Sequence, residues 1–213
     1  MFSDIDIAHH FGHRAIESLS IAHQAWQQAS ALYSQSGSIH WAEGLSAGTQ
    51  LNLLRQQEFN FCADSIIFFQ AMMEAIINQV IIEYPQLKPP KDTFAEKWTN
   101  AFNIHLLDTE DLDMYLAFYR SHRNPLIHPK TRDRVEHVET FRFPIVYDGL
   151  RAGWASFKDL FRALGTPHDE NSWQIMCEAH KLPAQIDPNQ YVDIQTWAGE
   201  MFRKHLEGMN SCE

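Results

Sequence analysis

Cysteine is scarce in this chain. Cys62, Cys177 and Cys212 are the only three in 213 residues. An odd number without paired spacing argues against a disulfide framework and against a zinc finger or ribbon. A reducing cytoplasm suits such a chain. Glycine and proline, at nine each, are about average or slightly below, which excludes collagen-like and low-complexity classes. No Gly-rich phosphate loop is present, and no serine is placed in a nucleophile elbow. Positive charge is also short. Lys and Arg number 17 against 27 Asp and Glu, for a net charge of −10 and a pI near 5.6. That balance argues against a general nucleic-acid coat protein. Long apolar runs are missing too. The most apolar stretch, Ile66 to Ile82, is interrupted by Gln70, Glu74, Asn78 and Gln79. It is too short and too polar to span a bilayer, so no membrane association is expected. The first residues, Met1-Phe2-Ser3-Asp4, lack the apolar core of a signal peptide.

What the chain does contain is apolar residues at helical spacing. Its 45% hydrophobic and 12% aromatic content is enough for a packed core. In residues 14–33, Ala15, Ile16, Leu19, Ala22, Trp26, Ala29 and Tyr33 fall on one stripe. Residues 50–84 read as one long helix, apolar almost all round between Phe61 and Ile82, as a central bundle helix should be. Thr93-Phe94-Ala95-Glu96 is a capping box that opens a short helix through about Asn103. Asp108 or Thr109 caps the next helix, with Leu112, Tyr115, Leu116 and Tyr119 as its inner face. Residues 145–164 form another amphipathic helix, stopped by Gly165 and Pro167. Two further helices, about 170–181 and one opening at Asp187-Pro188, follow as an extension. Strand signals and internal repeats are not apparent. The expectation is an all-α helical bundle of about four core helices, with additional N- and C-terminal helices. A single domain spans 1–213, with its core at about 50–165, an N-terminal helix over 4–35 and a C-terminal helical extension over 166–213.

Residues 123–128, Arg-Asn-Pro-Leu-Ile-His, carry the chemistry. Arg123 supplies a planar fork of donors suited to a phosphate. His128 can take or give a proton near neutral pH. On an unbroken helix, residues five apart point roughly 140° apart. Pro125 and Pro129 change this. Asn124 precedes a proline and is biased away from the α region. The sequence therefore predicts that one helix ends near Arg123 and a new turn starts at Pro125, where Arg123 and His128 can converge. The surroundings are basic: Arg120, Arg123, Lys130, Arg132 and Arg134 stand against one acid, Asp133. A positive patch in an acidic chain suits an anionic ligand. A solvated basic turn is the plainer alternative.

This organisation resembles the HEPN family (higher eukaryotes and prokaryotes nucleotide-binding). Three features carry the resemblance: the Arg-x4-His motif with a polar residue directly after the arginine, its place at the end of the amphipathic helix Asp111 to His122, and the upstream aromatic-rich helix Phe68 to Asn78 with Glu74 inside it. The likeness covers roughly residues 50–165. It implies an all-α bundle that often forms a homodimer, bringing two motifs to one cleft. Many such proteins are metal-independent endoribonucleases of toxin–antitoxin, phage-defence or RNA-processing systems. Others bind RNA, nucleotides or protein without cutting.

In the ribonuclease reading, His128 acts as general base or acid at the ribose 2′-hydroxyl. Arg123 stabilises charge on the phosphate. Asn124 either orients these groups or caps the following turn. Arg120, His122 and Lys130 are near enough to contact substrate. No metal or other cofactor is needed. The implied partners are RNA or a nucleotide, a second copy of the chain, and an antitoxin or other protein.

Glu74 forms a polar line with Gln70 and Asn78 on an otherwise apolar helix. That line is either a cleft wall opposite the motif or an interhelical hydrogen-bond ladder. His9, His10 and His13 also share a helix at i+3 and i+4 spacing. With no Glu-x-x-His pair in the chain, they read as a solvated helix face rather than as metal ligands. Trp41, Trp154 and Trp173 read as core.

Overall fold

The computed structural model describes residues 4–35, 41–127, 141–166, 172–183 and 186. Among them are six α-helices, one short 3-10 turn and no strand. Helix α1 is Asp4–Gln35 and α2 is Trp41–Glu83. A 3-10 turn at Pro85–Leu87 leads to α3, Phe94–His105. Helix α4 is Glu110–Ile127, α5 is Phe143–Ala163 and α6 is Ser172–Ala179. The all-α expectation is met.

The local signals act as their chemistry requires. Thr93 caps α3, its hydroxyl oxygen accepting from the Glu96 amide at 3.3 Å. The same hydroxyl donates to the Glu96 carboxylate at 3.0 Å, so the box closes side chain to side chain. At the start of α4 both expected caps take part. Asp108 Oδ1 accepts from the Glu110 amide at 3.0 Å, and the Thr109 hydroxyl donates to Asp113 at 3.0 Å. Helix α5 begins two residues earlier than the sequence predicts. Pro144 falls in its first turn, where the missing N–H has no intrahelical partner in any case.

The stripe on α1 is buried, with Ala15, Ile16, Leu19, Ala22 and Ala29 wholly inaccessible. It packs lengthwise on α2 in antiparallel fashion. Phe11 lies against Phe68, Gly12 touches Met72, and further along α1 Trp26 meets Phe143 at the start of α5. Helices α2 and α5 run parallel, since Glu58 bonds the Phe143 amide and Phe69 lies beside Gly153. Helix α4 runs against both, with Phe118 on Gly149 and Tyr115 on Gly153. These two glycines set the spacing of the bundle. A Cβ on Gly153 would sit 2.6 Å from Phe69 and 2.8 Å from Tyr115. Helix α6 closes the far side of α5. The Trp154 indole N–H donates to Ser172 at 3.0 Å, and Tyr147 donates to the Pro183 carbonyl at 2.8 Å.

Helix α2 is the centre of this arrangement, packing against α1, α3, α4 and α5. It is longer than the apolar stretch that marked it, and by length and composition Ser46–Glu83 is long and apolar enough to cross a membrane. Half of that apolar window is buried inside the bundle. Ile66, Phe69, Met72, Met73, Ile77 and Val80 are buried between neighbouring helices, while Leu53, Ile67 and Ile82 are exposed.

Candidate functional site at the end of helix four

The structure departs from the sequence prediction at the motif itself. Helix α4 does not stop at Arg123. It continues through Asn124 and Pro125 to Ile127. Pro125 sits in the last turn. Its missing N–H leaves the Ser121 carbonyl without an i+4 backbone donor.

Arg123 is half-buried and lies over the Tyr119 ring, with 5.6 Å from guanidinium carbon to ring centre. Tyr119 in turn packs on Phe94 of α3, ring centres 4.9 Å apart. The guanidinium is thus seated on an aromatic platform built by α3 and α4. Cation–π seating of this kind favours arginine over lysine. The sequence reading did not identify that platform. Its signal was available: Tyr119 precedes Arg123 by four residues, one helical turn.

The other expected site residues separate into three groups. Arg120 is exposed, one turn before Arg123. His122 is buried, only 7% accessible. Its ring stacks on Phe118 at 4.4 Å and meets Phe141 edge-on at 5.3 Å. Its Nδ1 lies 2.8 Å from the Ser121 hydroxyl and 3.0 Å from the Phe118 carbonyl. His122 therefore occupies the core between α4 and the start of α5. His128 and Lys130 lie outside the described residues, as does the side chain of Asn124.

Glu74 belongs to a polar line whose two ends are interhelical hydrogen bonds. Gln70 accepts from the buried Tyr115 hydroxyl at 3.0 Å, tying α2 to α4. Asn78 accepts from Lys97 at 2.8 Å, tying α2 to α3. Glu74 itself is exposed between them. Burial first, then the Tyr119 hydroxyl and the Glu74 carboxylate, push the Tyr115 phenol well above its ordinary value, so Tyr115 stays a neutral donor. The line is a ladder at its ends and open to solvent in its middle.

A charged cluster lies at the same end of the bundle. Glu58 of α2 accepts from Arg55, from Arg142 at 3.2 Å and from the Phe143 amide at 2.8 Å. Arg55, Glu58 and Arg142 are all buried. Phe141, beside this cluster, touches both Phe59 and His122. The cluster thus ties the start of α5 to α2.

Among the described residues, no group of three or more His, Cys, Asp or Glu side chains is placed to hold a metal ion. Contrary to the expectation that no serine has this setting, Gly44-Leu45-Ser46-Ala47-Gly48 does have the spacing of a nucleophile elbow. It lies inside α2 and not on a strand-to-helix turn, so it lacks the strained geometry that activates such a serine.

The fold and this end of α4 define an all-α helical bundle with a guanidinium seated at a helix end. Scans of family models, curated proteins and solved structures give no match to the chain.

Proposed function

We propose that the chain is a metal-independent endoribonuclease of the HEPN type, working as a homodimer. The observation that supports this most is the seating of Arg123 on Tyr119 and Phe94 at the end of α4, five residues before His128. A platform of that kind holds a guanidinium in one orientation, as phosphate recognition needs.

In this reading His128 removes the proton from a ribose 2′-hydroxyl. The 2′-oxygen attacks the adjacent phosphorus and the bond to the 5′-oxygen breaks. The 5′-oxygen leaves with a proton, giving a 2′,3′-cyclic phosphate and a 5′-hydroxyl end. Arg123 stabilises the negative charge that builds on the phosphoryl oxygens. Asn124 orients the pair or caps the final turn, and Arg120 and Lys130 extend the positive surface for the RNA strand. The reading places the protein in the cytoplasm as a toxin or phage-defence component held in check by an antitoxin. Buried free thiols at Cys62 and Cys177 suit that reducing compartment.

The net charge of −10 favours a second reading, a module of the same fold that binds RNA, a nucleotide or a protein without cutting. Cleavage of a mixed RNA pool in EDTA separates the two. Wild type should cut and leave cyclic phosphate ends, while Arg123→Ala and His128→Ala should each lose at least about a hundredfold in rate. Equal traces of cleavage in all three proteins would reject the ribonuclease and leave the binding module.

A further inference from the structure

Away from Arg123, a cavity of about 610 Å³ is lined by residues of α1, α2, α5 and α6. Its walls are apolar, formed chiefly by Met72, Ile76, Val80, Trp154, Phe157 and Met176. This volume falls within the ~300–1,000 Å³ typical of small-molecule sites, which pair apolar walls with a few placed polar groups. Here the polar lining includes three imidazoles beside Gln79, Glu83, Tyr84, Thr166 and Ser172. His9 and His13 of α1 line the cavity with His180, which follows α6. The His9 and His13 rings meet edge to face at 4.5 Å, and His13 and His180 lie 6.2 Å apart. His9 and His13 are exposed and His180 is half-buried, so the trio marks where the cavity meets solvent.

The trio has an unusual charge environment. Burial, followed by His9, His180 and His10, lowers the pKa of His13. Among the described residues, the charged groups that shift that ring are other imidazoles. The other charged groups around it do not offset this. Arg14 and Glu17 on α1 pair with each other at 2.9 Å. Glu83, the one acid among the described lining residues, accepts from Gln79 at 2.7 Å and ends α2. From α5 the described lining is uncharged. Three clustered imidazoles are suited to receive a negative group, and the space behind them is suited to an apolar tail.

We propose that this cavity binds a small carboxylate amphiphile of the fatty-acid class, with its tail among Met72, Ile76, Trp154 and Phe157 and its head against His9, His13 and His180. This site is separate from Arg123 and does not depend on the ribonuclease reading. Binding takes up protons, because a carboxylate beside the rings favours their charged form. Affinity therefore rises as pH falls from about 8 to about 6, a range in which a fatty carboxylate stays largely ionised.

Calorimetric titration of the full chain with dodecanoate and with dodecanol, below their aggregation limits, tests this. Dodecanoate should bind one to one, at least about fivefold more tightly near pH 6 than near pH 8, and dodecanol should show no such dependence. His9→Gln, His13→Gln and His180→Gln together should erase the pH dependence and leave dodecanol unaffected. Ala75→Phe, which puts bulk into the cavity from α2, should abolish both. The unchanged dodecanol binding of the histidine variant also verifies that it folds. Absence of dodecanoate binding by the wild type overturns the proposal. Equal binding of acid and alcohol near pH 6, or an unaltered pH dependence in the histidine variant, does the same.

Discussion

At the scale of single residues, burial decides which charged groups matter. Glu58 is fully inaccessible and holds two arginines and a backbone amide. Removing it leaves positive charge buried without its acid, which costs far more than losing an exposed pair. Glu58→Ala is expected to lower unfolding free energy by about 3–5 kcal/mol. The exposed pair of Arg14 and Glu17 should behave differently, with Glu17→Ala costing under about 1 kcal/mol. Urea unfolding of both variants checks the contrast, and equal midpoints would refute it. The sequence contained a sign of this cluster: Arg55 and Glu58 stand three apart on an otherwise core-forming helix. Arg142 was not legible as their partner, because a contact across 84 positions leaves no local trace. His122 shows the same limit from the other side. Its place in a basic, motif-bearing segment suggested substrate contact, whereas the phase of α4 turns it onto Phe118 and Phe141.

At the scale of elements, helix starts and stripes were legible and helix packing was not. The Thr93 box, the Asp108 and Thr109 caps and the inner face of α4 all follow from side chains within one or two turns of each other. The run of α4 through Pro125 was not foreseen. Proline restricts its predecessor as an average tendency, and α4 runs through it to Ile127. Gly149 and Gly153 carried no signal as a pair, because their purpose lies on other helices. They let Phe118, Tyr115 and Phe69 approach the α5 backbone. Gly153→Ala should therefore destabilise the bundle by about 1–3 kcal/mol, although alanine is the better helix former. Gly165→Ala should also destabilise, for a different reason. Open space surrounds Gly165, but its φ of +68° disfavours any side chain. Thermal unfolding separates the causes. Gly153→Ser should be worse than Gly153→Ala, whereas Gly165→Asn should recover much of the loss because asparagine tolerates that backbone region.

At the scale of the whole molecule, acid should weaken the bundle through histidine before most carboxylates titrate. His23 is buried against Trp26 and Phe143, where α1 meets the start of α5. Burial lowers its pKa below the ordinary 6.5. A histidine lowered in the folded state stays neutral there while the unfolded chain takes up the proton. As pH falls through about 6.5 the unfolded state binds more protons, so stability drops until the folded-state value is passed. The contribution is fully present above that range and lost below it. His13, lowered by burial and by its neighbouring imidazoles, adds in the same direction. The urea midpoint of the wild type should therefore decline between about pH 7.5 and about pH 5.5, and the decline should be shallower in His23→Gln. Identical slopes would remove His23 from the cause. The outcome also bears on the cavity, since a carboxylate amphiphile at His9, His13 and His180 stabilises the protonated rings. Saturating dodecanoate should flatten the His13 share of the acid decline and leave the His23 share, because His23 lies toward the opposite end of α1.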